Sequence, residues 1–370
     1  MSYKLLYSIT AFAVSFACGM VFIPWIMDFC KRRGLYDIPN SRKVHKSAIP
    51  RLGGVAFIPS TLIGILTVAL LADATEGGEI SLHSWTMLFM MGVGMVYIVG
   101  LIDDIVGVRA RKKLFVQLMA ASLLPLSGLW LNNLGGLFGV REIPMWIGMP
   151  LTIFAVAFVS NAVNLIDGID GLSGGLALIS LTGFMILCHN RGLTYHVVMI
   201  LSMMGVITAY LYYNIFGDEK KNRKIFMGDT GSLTIGFVLA FLALKISMTN
   251  DSRNILHSMG LLQSMTLLLI PVFDVVRVII VRMSNGRSPM KPDKNHIHHK
   301  LMRTGMTAHQ TLCFILGLQI FFIVMNFLLM ENLKITWILI LYIVLYIAIQ
   351  LVIDVYIRRN GQQPREFLTK

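Results

Sequence analysis

The sequence predicts an all-α polytopic membrane protein, and its composition and its apolar runs lead to that fold class. Apolar residues make up 56% of the 370 residues. Charged residues make up only 14%, about half of the share in an average globular protein. Apolar runs of about 17–25 residues recur, which is the length that crosses a bilayer core as a helix. This excludes a soluble globular domain, a disordered chain and a coiled coil, because too few charges remain to cover a water-facing surface.

Eleven apolar stretches are the predicted spans of a single transmembrane catalytic domain, residues 1–370. The first stretch is too long for a signal peptide and ends in Lys31-Arg32-Arg33 rather than in a small-residue cleavage site. The stretches lie near 5–29, 53–72, 85–102, 114–131, 145–163, 173–188, 196–216, 232–248, 259–281, 311–330 and 335–357.

The placement of the basic residues predicts the orientation of these spans. Of the 32 Lys and Arg residues, 25 fall in alternate loops, starting with 31–51, or in the C-terminal tail, and five fall on the opposite side. The positive-inside rule therefore places the N-terminus outside and the C-terminus in the cytoplasm. The net charge of +13 is then a cytoplasmic face for anionic lipid, and we expect no nucleic-acid partner.

Residues suited to chemistry concentrate in the predicted cytoplasmic loops, whereas the outer loops look like plain connectors. We expect the active site at the cytoplasmic ends of the spans. These loops cover 31–52, 103–113, 161–172, 217–232 and 282–310.

Two adjacent carboxylates, Asp103 and Asp104, end the third predicted span. Neighbouring negative charges repel each other and are costly at a membrane boundary. The pair is either a solvated helix end, relieved by the basic run 109–113, or an anion pair kept for a metal ion or for proton transfer. The residues alone leave both interpretations open.

The segment NAVNLIDGIDGL places Asn161, Asn164, Asp167 and Asp170 three residues apart. On a helix this spacing puts neighbouring members on one face. Two Asn and two Asp form an oxygen-rich set, which favours a hard cation such as Mg²⁺ and hydrogen bonding to a polar ligand.

The segment KIFMGDTGS opens the eighth predicted span. A helix start offers free backbone N–H groups and attracts anions. An ordinary N-cap and turn is the alternative interpretation. We expect Asp229 to be the central acid of the site, with Phe226 as an aromatic plate beside it.

Three histidines fall within four positions of a basic loop, in the segment PDKNHIHHK. Such a cluster suggests zinc, but no cysteine is nearby and the neighbouring Lys and Arg disfavour a dication. Imidazoles among cations suit phosphate better. The histidines are His296, His298 and His299.

The first basic loop carries Lys46 and leads to Gly53-Gly54, a pair that would let backbone approach a ligand. Taken with the other loops, this gives carboxylates for a magnesium site and cations for a phosphate clamp. A polytopic protein with both at its membrane edge suggests metal-assisted phosphoryl transfer between a polar donor and a lipid phosphate.

The chain resembles the polyprenyl-phosphate N-acetylhexosamine-1-phosphate transferases, a superfamily that includes the phospho-MurNAc-pentapeptide translocases. The motifs DIPNSRKVHK, PRLGG, LIDD, NAVNLIDGIDGL, FMGDTGS and DKNHIHHKL occur in the family's order along almost the whole chain. The resemblance implies a bacterial inner-membrane enzyme with its active site facing the cytoplasm. It also implies transfer of GlcNAc-1-phosphate from UDP-GlcNAc to undecaprenyl phosphate, with release of UMP.

The resemblance assigns the catalytic roles to four acids and implies Mg²⁺, with Mn²⁺ as a substitute. Asp229 and Asn164 fall on the family's metal-binding positions. Asp103 and Asp104 match the family's paired acids, the first of which would deprotonate or orient the lipid phosphate. Asp167 is a further acid of the family site.

The remaining family positions bind substrate. Asp170 and the stacking Phe226 correspond to the contacts with uracil, and Lys46 corresponds to a phosphate-contacting lysine. The insertion GDEKKNRK (217–224) departs from the shorter family loops and leaves the role of Asn214 open. The motif His-Ile-His-His-Lys supplies the family histidines, His296, His298 and His299.

Alternatives concern the sugar, the polymer and the class of protein. Another UDP-N-acetyl amino sugar, or the pentapeptide substrate of the translocase, would suit the same motifs, and a homodimer is compatible with them. The reaction would start an O-antigen, a common antigen or a teichoic-acid-like polymer.

A transporter is the alternative from another class of protein, but transporters bind their substrates near the middle of the membrane. Here only Lys245, Asp274 and Arg277 lie deep, and the last two are predicted to pair.

Overall fold

The computed structural model of the chain is almost entirely helical. It describes residues 3–37, 48–76, 84–219, 223–248, 259–289 and 293–359. The α-helices are Tyr3–Arg33 (α1), Phe57–Glu76 (α2), Ser84–Val106 (α3), Ala110–Leu126 (α4), Met145–Ile166 (α5), Leu172–Asn190 (α6), Thr194–Ile215 (α7), Gly228–Ser247 (α8), Gly260–Leu267 (α9), Leu269–Ser284 (α10), Ile297–Arg303 (α11), Ala308–Leu329 (α12) and Ile335–Arg359 (α13).

Short elements connect some of these helices. A 3₁₀ turn, Gly53–Ala56, leads into α2. Strand β1 (Tyr36–Asp37) pairs antiparallel with β2 (Ile49–Pro50). A second antiparallel pair, β3 (Asn133–Leu137) and β4 (Val140–Glu142), forms a hairpin between α4 and α5. The sequence predicted neither sheet, and this second loop is therefore more than a plain connector.

The helices confirm the predicted fold class. Within the described ranges, nine helices are long and apolar enough to cross a membrane, or ten if the bent pair α9 and α10 forms one span. Helix α4, at the predicted stretch 114–131, has 17 residues and ends at Leu126, next to Pro125. The protein is an all-α polytopic membrane protein, while the count of eleven spans and the orientation of the termini stay predictions.

Helix α8 is the central span. In its apolar segment 89% of the residues are buried, against 22% in α1. It packs against α3, α5, α6 and α9, and a helix enclosed in this way must be apolar on all sides. Small residues allow the close packing, since a Cβ on Gly100 of α3 would lie 2.6 Å from the Cα of Thr230. The end of α3 therefore touches the start of α8.

The predicted stretch 259–281 is broken into α9 and α10, which are bent by 74°. Pro271 lacks an N–H group and therefore cannot donate to the carbonyl of Leu267, four residues earlier. Its ring would also clash with that carbonyl in a regular helix. The Gln319 side chain of α12 hydrogen-bonds to the backbone at this break. It donates to the carbonyls of Thr266 at 2.8 Å and Leu267 at 3.3 Å. It also accepts from the N–H of Ile270 at 3.2 Å. The break thus survives in an apolar medium because its polar groups are paired.

The ends of α3 and α5 and the start of α8 meet at one end of the bundle, where the segment before α2 also packs. Gly53 N–H donates to the carbonyl of Phe226 at 2.9 Å, and Gly54 N–H donates to that of Met227 at 2.8 Å. A Cβ on Gly54 would lie 2.2 Å from the backbone of Gly231. The expectation that the Gly pair admits a ligand is therefore wrong, because the chain's own backbone fills that space.

Candidate active site

Asp104 caps helix α8 from the last turn of α3. Its Oδ1 accepts from the N–H of Asp229 at 2.9 Å. Its Oδ2 accepts from the N–H of Thr230 at 2.9 Å and from the Thr230 hydroxyl at 2.6 Å. The side chain is buried. A carboxylate suits this place because the first N–H groups of a helix lack partners and carry partial positive charge.

Gly228 begins α8 with a φ of +74°, a conformation that favours glycine. A Cβ there would lie 2.2 Å from the carbonyl oxygen of Arg51 and 2.5 Å from Oδ2 of Asp104. The glycine therefore permits the contact that fixes the next residue, Asp229, in the first turn of α8.

Asp103 and Asp229 share the ammonium group of Lys113. The Lys113 Nζ atom lies 3.1 Å from Oδ2 of Asp103 and also contacts Oδ2 of Asp229. Asp103 Oδ1 accepts from the N–H of Val108 at 2.5 Å. The sequence named Lys113 only as one of the cations that could relieve the acid pair. In the structure it is part of the site, because it lies in the first turn of α4, opposite both carboxylates.

Asn164, near the end of α5, binds the other oxygen of Asp229. Its side-chain amide donates to Asp229 Oδ1 at 3.0 Å and to the Ser232 hydroxyl at 2.9 Å. The two residues predicted to share a metal ion are therefore adjacent, and each oxygen of Asp229 faces a polar partner.

A cavity of about 510 Å³ opens beside these residues. Arg51 and Tyr210 also line it, although the sequence did not select them. Seven of the predicted site residues are in its wall: Asp104, Asn164, Asp167, Asp170, Phe226, Asp229 and His299. The cavity is large enough for a small polar ligand.

Asp167 follows the last residue of α5 and faces the cavity. Burial raises the pKa of its carboxyl to about 8, and the negative charges of Asp229, Asp170 and Asp104 act in the same direction. Asp167 is thus suited to carry a proton at neutral pH and to ionise when a cation reduces the negative field.

Asp170 lies at the rim of the cavity, against an ion pair that the sequence did not predict. Lys224 Nζ is 2.8 Å from Oδ2 of Asp170 and 3.0 Å from Oε1 of Glu219. Burial lowers the pKa of Lys224. Its hydrogen bonds and its attraction to these two carboxylates raise that pKa by more, so the net shift is upward. Both Lys224 and Glu219 belong to the insertion GDEKKNRK, so these two of its residues lie at the cavity rim.

Asn214 joins the two loops at this rim. Its Oδ1 accepts from the N–H of Gly171 at 2.7 Å, and its amide donates to the carbonyl of Ile225 at 2.9 Å. It lies 3.4 Å from Oδ1 of Asp170. The residue whose role the sequence left open is a buried brace that orients the Asp170 carboxylate.

Asp274 of α10 anchors the histidine segment. Its pairing with Arg277 is confirmed at 3.2 Å. The same carboxylate also contacts His296 Nδ1 at 2.8 Å and accepts from the N–H of Ile297 at 2.9 Å. Tyr346 of α13 adds its hydroxyl at 3.4 Å. His296 thus binds Asp274 and is not part of the cavity wall.

The other two histidines differ in their exposure to the cavity. His299 lines it, while His298 is buried beneath, and a Cβ on Gly168 would lie 2.2 Å from His298 Nε2. The two imidazole rings are 4.2 Å apart. Burial and then the neighbouring charges of His299 and His296 lower the pKa of His298 well below its ordinary value.

The pKa of His299 is lowered to about 4, first by burial and then by the positive charges of His296, Lys294 and Arg303. At neutral pH His299 is therefore a neutral imidazole at the cavity. It can donate or accept a hydrogen bond there.

Two predictions lie partly or wholly beyond this geometry. Lys46 falls outside the described residues, so its predicted phosphate contact stays a prediction. Among the residues that the structure describes, no three His, Cys, Asp or Glu side chains form a group that could hold a metal ion. The predicted pair Asp229 and Asn164 stays a prediction as a metal site.

Fold and site together define a class of protein, a polytopic membrane protein with an acidic polar cavity at the ends of its spans. The profile described as glycosyl transferase family 4 matches residues 85–247, which extend from α3 to the end of α8 and include most of the cavity wall.

Bacterial proteins resemble the chain over most of its length. Undecaprenyl-phosphate alpha-N-acetylglucosaminyl 1-phosphate transferase of Yersinia pestis is 31% identical over 80% of this chain and 77% of its own. The transferase of the same name from Salmonella typhi is 32% identical over 83% and 80%. A probable undecaprenyl-phosphate N-acetylglucosaminyl 1-phosphate transferase of Bacillus subtilis is 30% identical over 81% and 78%. The chain therefore belongs to glycosyl transferase family 4, and the predicted resemblance and enzyme class are confirmed.

Proposed function

We propose that this protein transfers GlcNAc-1-phosphate from UDP-GlcNAc to undecaprenyl phosphate in the bacterial inner membrane. An oxygen of the lipid phosphate attacks the sugar-bearing phosphorus of the donor, the bond to UMP breaks, and a lipid-linked pyrophosphoryl sugar forms. The observation that carries the proposal is the shared cavity, whose wall combines Asp167, Asp229 and His299 at the ends of membrane-spanning helices. The names of the bacterial relatives support the two substrates.

Magnesium is the proposed cofactor, and the residues around Asp229 fit it. They offer carboxylate oxygens of Asp229 and Asp103, which Mg²⁺ accepts as ligands. Asn164 lies beside Asp229, where its NH2 group now donates, and it would turn its amide oxygen toward the ion. Lys113 already lies between the two carboxylates, so the site attracts a cation. Asp229 and Asn164 would hold the ion. When bound, it would neutralise phosphate charge during transfer.

The donor would lie in the cavity with its base at one end and its phosphates at the other. Asp170, oriented by Asn214 and Lys224, accepts a hydrogen bond from the uracil, while Phe226 stacks on the ring. His299 lies at the cavity as a neutral imidazole and donates to the phosphates. The resemblance assigned substrate binding to His296, His298 and His299, and of these three His299 is the one that lines the cavity.

The acceptor phosphate would approach from the inner leaflet to Asp103. The Asp103 carboxylate is half-buried beside Lys113. It can orient the acceptor phosphate or accept a proton from that phosphate. Asp104 acts differently, since its hydrogen bonds all go to the start of α8. Its role is to hold Asp229 in position.

Purified protein with undecaprenyl phosphate, Mg²⁺ and a panel of UDP-sugars tests the proposal through the release of UMP. UDP-GlcNAc should give the highest kcat/KM, above UDP-GalNAc and above the pentapeptide substrate of the translocase. Protein stripped with EDTA should recover full activity with Mg²⁺ alone. Turnover that requires zinc, or that prefers the pentapeptide donor, would contradict the assignment.

A further inference from the structure

Lys300 is a buried lysine that the proposed chemistry does not use. It lies on α11, directly after His299, and its side chain is 1% exposed. Its Nζ is 2.8 Å from Oδ1 of Asp354 on α13, whose side chain is 14% exposed. Burying two charges is costly, and an apolar pair of similar volume often stabilises a protein as well or better. The pair therefore calls for a reason other than stability.

Side chains of α10 hold the N-terminal side of the histidine segment. Arg282 holds Asp293 through two contacts, of 2.8 and 3.0 Å. Asp274 holds His296 and the N–H of Ile297. These contacts fix the chain before α11, whereas the direction of α11 itself depends on its packing against α12 and α13.

Helix α11 has seven residues, too few to hold its own geometry, so its position depends on tertiary contacts. Against α13 it places Leu301 in an apolar cluster with Ile353 and Ile357. Apolar contacts are non-directional and allow a short helix to slide. The ion pair of Lys300 and Asp354 joins one point of α11 to one point of α13 with 2.8 Å between the charged atoms, and it therefore favours one register of α11 on α13.

We propose that Lys300 and Asp354 are a positioning pair, which ties α11 to the last helix and sets how far His299 reaches into the cavity. Helix α13 lies outside the matched family region, residues 85–247, yet through this pair it contributes to donor binding. The inference rests on the proposed function in one respect, the contact of His299 with the donor phosphates.

The test compares the single variants Lys300→Met and Asp354→Asn with the apolar double variant Lys300→Met/Asp354→Leu. Each single variant removes one charge of this ion pair and should lower both the melting temperature and kcat/KM for UDP-GlcNAc. The double variant should recover the wild-type melting temperature. It should still lose about a hundredfold in kcat/KM for the donor, since a displacement of about 1 Å can cost that much. The KM for undecaprenyl phosphate should stay at the wild-type value.

Gln350→Leu is the matched control. Gln350 is one helical turn before Asp354 on α13, is buried, and has no hydrogen-bond partner for its amide within the described chain. This substitution should leave donor kinetics unchanged. A double variant with wild-type kcat/KM for UDP-GlcNAc would overturn the positioning role, because the pair would then be structural only.

A second comparison separates this inference from the proposed function. In a His299→Ala background, Lys300→Met should add little further loss in donor KM, because the two residues act through one contact. Fully additive losses would overturn the inference. If His299→Ala alone keeps wild-type donor kinetics while Lys300→Met does not, the assignment of His299 under the proposed function fails, and with it the stated route of the pair.

Discussion

At the scale of single residues, Asp229 is the side chain on which the site depends most. Lys113 contacts one of its oxygens and Asn164 the other, while Asp104 holds its backbone N–H. Three helices thus converge on one carboxylate. A substitution at Asp229 changes the site without removing a core side chain, whereas a substitution at Asp104 releases the start of a helix.

Asp229→Asn should abolish most turnover and leave the fold intact. Asparagine keeps the shape and the contact with Asn164, but it loses the charge that attracts a cation. The loss in kcat should exceed the roughly 100-fold that removal of a supporting partner costs at metal sites. The added stability that Mg²⁺ gives in a thermal melt should also disappear. Asp28→Asn, an exposed position on α1, is the control. Near wild-type kcat at ordinary Mg²⁺ concentrations would refute the assignment.

Asp103→Asn and Asp104→Asn should separate chemistry from positioning. Asp103→Asn should lower kcat while the donor KM and the melting temperature stay near wild type, because this carboxylate faces the acceptor side. Asp104→Asn turns an amide donor toward the N–H of Thr230, and loss of such a cap costs about 1–2 kcal/mol. Its melting temperature should fall. Donor binding lost in both variants, with turnover kept at saturation, would place both acids in the nucleotide pocket instead.

The lowered pKa of His299 predicts how stability depends on pH. Its ordinary pKa is 6.5, and the folded value is about 4. Between these values the unfolded chain binds a proton that the folded chain refuses, so stability is fully present above 6.5 and falls as pH decreases toward 4. The melting temperature in detergent should therefore drop between about pH 7 and pH 5. His299→Gln should reduce that drop. A drop of equal size in His299→Gln would contradict this account.

At the scale of elements, the length of the apolar runs predicted where the helices lie. The break between α9 and α10 depends on tertiary contacts instead. The extents of α3, α5 and α8 follow from apolar runs with a polar motif at one end, which is the last turn of α3 and α5 and the first turn of α8. The break after Leu267 could not be predicted as a stable bend, because Gln319 pairs its backbone from 52 residues away. The motifs identified Asp229 and Asn164 because these residues stand in local sequence patterns. The roles of Lys113 and Lys224 depend on contacts with acids far away in sequence, and only the structure shows those contacts.

Gln319→Leu should destabilise the bend between α9 and α10. It removes the donor to the carbonyls of Thr266 and Leu267 and the acceptor for the N–H of Ile270, and a buried polar group that loses its partner costs about 1–3 kcal/mol. Gln117→Leu is the matched control, since Gln117 is also buried on a helix but its amide has no hydrogen-bond partner in the described part of the chain. The first variant should melt earlier than wild type, and the second should not. Equal melting temperatures would show that other groups satisfy the bend.

At the scale of the whole molecule, the site and the charge asymmetry fall on the same end of the bundle. The cavity is built from the ends of α3 and α5 and the start of α8, next to the loops that carry most of the Lys and Arg residues. The opposite end carries the hairpin of β3 and β4. The positive-inside rule links the two facts, because it predicts that the basic end, and with it the cavity, faces the cytoplasm.

Labelling of single cysteines tests this orientation directly. In a variant without its four native cysteines, Phe138→Cys marks the exposed tip of the hairpin and Ser284→Cys marks the exposed end of α10. A membrane-impermeant maleimide added to intact cells should label position 138 and spare position 284, and inverted membrane vesicles should give the reverse. This follows because moving 25 basic residues to the outside would oppose the bias that orients such chains. Labelling of position 284 in intact cells would place the cavity outside, away from the cytoplasmic pool of UDP-sugars, and would contradict both the orientation and the proposed donor.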